Sequence, residues 1–175
     1  MTEPLAHLVR RFFDVLFARP LTATERAAVR SWLDPEMSRL FFDQASHDQR
    51  HGYLAALAVL AAGRAEPETI AAALMHDVGK RHARLGVVGR SVASILVRLR
   101  LPLTERMKIY RDHGLHAARE LAEVGAPALV VAFALHHHGS RPPSIAPGTW
   151  EALKDADQPA KSRLGWTRGI TSAPR

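Results

Sequence analysis

Ala71-Ala72-Ala73-Leu74-Met75-His76-Asp77-Val78-Gly79-Lys80 is the stretch on which the reading of this 175-residue chain turns. A small-residue apolar run, suited to burial, ends in a histidine and an aspartate side by side. Burying such a pair is costly unless something compensates it, and a metal ion is the obvious compensator. His76 and Asp77 lie about 100° apart on an ideal helix, so both reach one ion only where the helix is ending. Gly79 supplies that expected ending. The chain has no cysteine, so any metal must sit on nitrogen and oxygen. Imidazoles with carboxylates suit manganese, iron, cobalt, nickel or zinc better than magnesium.

Working outward, apolar residues recur at helical spacing and no segment alternates for long enough to be a strand, which predicts an all-α protein. Leu5, Leu8, Val9, Phe12, Phe13 and Leu16 form the apolar stripe of a first helix ending before Pro20. Thr22 with Glu25 reads as a capping box, and Asp34-Pro35 as an N-cap followed by a first-position proline. Ser46 with Gln49 caps a longer helix stopped at Gly63. Pro67 opens the helix that carries the central pair. Gly86 and Gly89 mark a loop before a short basic helix capped by Ser91. Thr104 caps a segment that breaks near Gly114 and finishes at Gly125. Pro127 starts an apolar helix ending in His136-His137-His138, and Thr149 caps the last. Residues 1–40 are expected to be a helical extension, 41–160 a compact helical bundle, and 161–175 a basic, loose tail.

Three more polar groups sit on inward-facing stripes. His51 shares a face with Leu54, Ala55 and Ala58. His137 lies with Val130, Phe133 and Ala134, and Asp157 with Trp150, Leu153 and Lys154. A lone buried histidine is usually a hydrogen-bonded core residue. Several at once, with a His-Asp pair, must all be compensated inside one small domain.

Composition bounds the partners. A net charge of +7 and a pI near 10.7 favour anionic ligands, although an arginine-rich composition explains the same figures. The longest apolar runs are far shorter than the about 20 residues that span a bilayer. Early Glu3 and the interrupting Arg10 and Arg11 do not read as a signal peptide, so a cytoplasmic protein is expected. The sequence carries no signal for an oligomeric state.

His51, then His76-Asp77 in the form His-Asp-x-Gly-Lys, then Asp157 in Ala-Asp, resemble the HD superfamily of metal-dependent phosphohydrolases. The resemblance covers about residues 41–160. Asp112-His113-Gly114 and His137-His138-Gly139 resemble the subset with additional histidines, the two-metal phosphodiesterases that include the HD-GYP group and the HD domains hydrolysing cyclic-di-AMP. The Gly-Tyr-Pro signature does not follow His138, and Gly139 stands in place of the glutamate, which argues against cyclic-di-GMP as substrate. The membrane anchor of the cyclic-di-AMP enzymes is missing too.

The resemblance implies an HD-domain fold and one or two divalent transition ions. His51, His76, Asp77 and Asp157 would hold one. His113, His137 and His138 would hold a second, with Asp77 bridging. His136 is the alternative within the triple run, and Asp155 the alternative to Asp157. The implied reaction is hydrolysis of a phosphate ester of a nucleotide or cyclic dinucleotide by a metal-activated hydroxide, water's pKa falling from about 15.7 to about 7 on such an ion. Lys80 is placed to neutralise charge on the phosphoryl oxygens, or is a solvated lysine at a helix end. His82 and Arg84 follow on a basic loop as substrate-binding candidates. His47 and Asp48 are candidates for orienting ligands, and Arg90, Arg98, Arg100, Arg106, Lys108 and Arg111 for an anion funnel. Two other readings compete: a regulatory module of the same fold that binds a nucleotide or protein without turnover, and a nucleic-acid-associated protein, disfavoured because no recognition motif is present.

Overall fold

The structure, a computed structural model, describes residues 19–158. Among them all regular elements are helical: α1 (Ala23–Trp32), α2 (Pro35–Phe42), α3 (Ser46–Ala61), α4 (Pro67–Met75), a 3-10 helix (Val78–Ala83), α5 (Val87–Arg98), α6 (Glu105–Arg111), α7 (His113–Glu123), α8 (Ala128–His136) and α9 (Pro147–Ala156). The all-α expectation holds. None of these helices is long and apolar enough to cross a membrane. The helix expected over residues 5–16, the tail 161–175 and Trp166 lie outside the described residues.

Local signals fix many of the ends. Glu25 N donates to Thr22 Oγ1 (3.3 Å) and Thr22 N to Glu25 Oε2 (2.7 Å), closing the capping box of α1. Met37 N donates to Asp34 Oδ1 (2.8 Å), with Pro35 opening α2. Gly63 (φ 76°) and Gly125 (φ 72°) take the left-handed conformation just past α3 and α7, which costs glycine least.

Three caps differ from expectation. Ala45 holds the N-cap of α3, and Gln49 reaches back to the carbonyls of Phe42 (3.0 Å) and Gln44 (2.8 Å) instead of boxing Ser46. α5 begins at Val87 after Gly86, so Gly89 and Ser91 lie inside it, with the Ser91 hydroxyl donating to Val87 O (3.1 Å). Thr149 lies inside α9, which Pro147 opens. In α9 the proline's fixed φ starts the helix without a side-chain cap.

α4 is the centre of the bundle. Thr69 to Met75 are all buried, as expected of a helix that is apolar all round. α3 and α8 cover it, with contributions from α9, α1 and α2. Its alanines allow close approach, and Gly52 of α3 allows closer still: a Cβ there would stand 2.7 Å from Leu74 O. Phe41, Phe133, Leu40, Leu121 and Leu153 complete one continuous core that also includes Leu21 and Val29. The division expected at residue 40 therefore falls inside α2, and α1 and α2 share the bundle's core.

Gly79 does not do what the sequence led us to expect. It lies within the 3-10 helix and is absent from the positive-φ glycines. Its role is proximity. A Cβ there would stand 2.1 Å from His113 O and 2.7 Å from Ala117 N, so only hydrogen lets the 3-10 helix lie against α7. Gly114 does the same between α7 and α8, where a Cβ would meet Ala134 O at 2.7 Å. We expect Gly79→Ala to cost about 3 kcal/mol, the upper end of overpacking penalties, and to displace His113. Urea unfolding checks the first effect, and the His113 imidazole NMR signals the second.

Candidate metal centre

Five segments meet at Asp77. His51 projects from α3. His76 is the C-cap of α4, and Asp77 follows it. His113 opens α7, His137 is the C-cap of α8 with His138 next, and Asp157 is the C-cap of α9. Three helices thus end at the site, directing the negative ends of their dipoles toward it, which favours a cation between them.

Asp77 divides its carboxylate between two groups. Oδ1 lies 3.2 Å from His113 Nε2 and 3.5 Å from His137 Nε2. Oδ2 contacts Lys80 Nζ and lies 3.5 Å from His76 Nε2 and 3.8 Å from His51 Nε2. Asp157 Oδ1 joins the second group through His51 Nε2 (3.2 Å) and His76 Nε2 (3.1 Å). His138 Nε2 joins the first, 3.1 Å from His113 Nε2. Two clusters, Asp77 with His113, His137 and His138, and Asp77 with His51 and His76, bring their ligand atoms close enough to hold a metal ion each.

The tautomers sharpen this. Nδ1 of His76, His113 and His137 lies 2.9, 2.6 and 2.8 Å from the carbonyls of Ala73, Tyr110 and Ala134. A carbonyl only accepts, so each Nδ1 carries the proton and in the neutral ring each Nε2 presents a lone pair. His113 Nε2 nevertheless lies 3.3 Å from His137 Nε2. Lone pairs so disposed repel each other and call for a shared cation. Asp77 Oδ1 is buried and accepts no well-formed hydrogen bond, its two histidine neighbours being ill-directed. Buried acceptors normally find a donor. An N/O donor set with an orphaned carboxylate oxygen at its centre fits a divalent transition ion.

The electrostatics point the same way. Burial opposes ionisation of Asp77, but Lys80 and His76 outweigh it and hold its carboxyl well below the usual range. Burial likewise opposes ionisation of Asp157, and His76 and His51 override it. Burial would lower His76, yet Asp77 and Asp157 raise it to about 9. Burial pushes His137 down. His138 falls because its inner ring edge is desolvated and stands beside His137 and His113, although its outer side is exposed.

No family model, curated protein or solved structure matches this chain. The site is therefore argued from its own geometry.

Other candidates fall elsewhere. His136 lies apart, lining a groove with Glu68 and Leu129, and Asp155 is exposed. His82 and Arg84, expected on a substrate loop, are not brought into the cluster. His82 Nε2 lies 3.2 Å from Glu120 Oε2, which also binds Arg81. Arg84 is exposed and takes a left-handed φ of 49° that ends the 3-10 helix. Arg90 does not belong to an anion funnel either. It is buried, with Nη1 donating to Asp48 Oδ1 (2.7 Å) and Oδ2 (2.8 Å) and to His47 Nε2 (2.7 Å). Sequence reading missed this pairing because 42 positions separate the partners. It also missed Lys154, whose ammonium binds His137 O. That residue had a signal, since it precedes Asp157 by one helical turn.

Because a metal must displace the proton that Asp77 and Asp157 hold on His76, binding should release about one proton per ion at neutral pH. Affinity should rise as pH climbs toward 9 and level off above it. Calorimetric titration of manganese in buffers of different ionisation enthalpy measures both.

Proposed function

We propose that this chain is a metal-dependent phosphohydrolase of the HD type, acting on a phosphate ester of a nucleotide or cyclic dinucleotide. The observation that carries the reading is the set of buried imidazoles with Nδ1 committed to backbone carbonyls and Nε2 aimed at one carboxylate. Such residues are costly to bury for structure alone. The motif His76-Asp77-Val78-Gly79-Lys80, with outlying His51, Asp157 and the extra histidines, supports the same family reading.

His51, His76, Asp77 and Asp157 would hold one divalent ion, and His113, His137 and His138 with the other oxygen of Asp77 a second. Such ions supply positive charge that lowers the pKa of water and stabilises a phosphate under attack. The chain's own residues do the rest. The backbone carbonyls of Ala73, Tyr110 and Ala134 fix the imidazole orientations. Lys154, anchored on His137 O, steadies the end of α8. Lys80 contacts Asp77 Oδ2, and its ammonium has three donors where that carboxylate takes one, so it can also receive a phosphoryl oxygen.

The test pairs two variants. Asp77→Asn keeps the shape of the side chain but removes the charge shared by both clusters. Manganese bound per chain should fall by more than about a hundredfold in affinity, since even losses of orienting partners reach that scale. Lys80→Ala should retain the metal and lose about 10²–10³ in kcat on bis(p-nitrophenyl) phosphate or a responsive nucleotide, as when one oxyanion-stabilising donor is removed. Turnover surviving Asp77→Asn would reject the mechanism. Metal bound by the unaltered chain without turnover of any phosphate ester would favour the regulatory module.

A further inference from the structure

α5 has two unlike faces. Inward, Arg90 and Ala93 are buried. Outward, Val88 is 65% exposed, Val92 40%, Ile95 44%, and Leu99 at the helix end 61%. Isolated apolar residues on a surface are ordinary. These four follow one another at intervals of four, three and four residues, the repeat of a coiled-coil seam. They form a row about 16 Å long at 1.5 Å per residue. A contiguous apolar row of this kind marks a docking surface.

The chain carries a second such row. Leu5, Val9, Phe12 and Leu16 are spaced four, three and four as well. The place where that segment joins the bundle is fixed. Arg50 of α3 donates to Arg19 O (Nε, 3.0 Å) and to Pro20 O (Nη2, 2.8 Å), while its Nη1 binds Glu25 Oε1 (2.6 Å). Asp48, on the same turn of α3, holds Arg90 in the first half of α5. Residues 1–18 therefore join the described chain beside the end of α5 that carries Val88. Three residues separate Leu16 from Arg19, at most about 11 Å of extended chain.

We propose that residues 5–16 dock as a helix on the outer seam of α5, antiparallel to it. Leu16 then lies by Val88, Phe12 by Val92, Val9 by Ile95 and Leu5 by Leu99. The interval pattern is the same read in either direction, so all four pairs stay in register. Tethering favours this occupant over a second copy, because a short link gives an effective concentration in the millimolar range.

The chain has no cysteine, so introduced thiols report cleanly in the full-length protein. Phe12→Cys with Val92→Cys should close an intrachain disulfide under mild oxidation. Leu5→Cys with Val88→Cys, at opposite ends of the seam, should not, since bridged Cα atoms stay within about 7 Å. In the Val92→Cys protein, adding Val9→Asp and Phe12→Asp should raise maleimide reactivity several-fold. Closure of both pairs equally, or of neither, would overturn the proposal. So would unchanged reactivity, or a disulfide-linked dimer of the Val92→Cys protein, which would give the seam to a second copy.

Discussion

The charge on Asp77 is the constraint to which the rest of the structure answers. Its carboxylate is enclosed by α4, the 3-10 helix, α7 and α8, where an unpaired charge is costly. Lys80 meets one oxygen, and the protonated form of His76 stands beside it. The other oxygen sees only histidine nitrogens. Each neighbouring ring is turned by a carbonyl behind it, so the arrangement is preorganised in the protein and need not be assembled by a ligand.

That preorganisation depends on backbone proximity more than on side-chain packing. Gly52, Gly79 and Gly114 each stand where a methyl group would strike a carbonyl of a neighbouring element. Together they draw α3 onto α4, the 3-10 helix onto α7, and α7 onto α8. These are the elements that carry His51, His76, Asp77, His113, His137 and His138. Distances of 3–4 Å between side chains from such different helices require the axes to approach this closely.

Much of this was legible because helical periodicity says which face a residue occupies. His51, His137 and Asp157 could be placed inward by spacing alone, and the structure brings all three to Asp77. The fold class followed from the same rule, and the boxes at Thr22 and Asp34 from local hydrogen bonding. Ser46, Ser91 and Thr149 misled because a capping residue type also sits comfortably in the first turns of a helix. Gly79 misled because glycine's two uses, positive φ and close approach, look the same in a sequence. Arg90 was unreadable for another reason: burial of an arginine depends on a partner far along the chain.

The Asp48–Arg90 pair joins the site to the periphery. A buried ion pair of this kind adds little net stability over apolar residues, but losing one partner is expensive. It therefore acts as a fixed joint, keeping α5 against the first turns of α3. His47 accepts from the same guanidinium, and burial together with Arg90 holds it neutral against the pull of Asp48. The helix that supplies His51 is thus braced at its start by a residue of α5 and packed along its length on α4. An ion held by His51 and Asp77 would be gripped by two elements whose separation is already set, so little ordering remains to be done on binding.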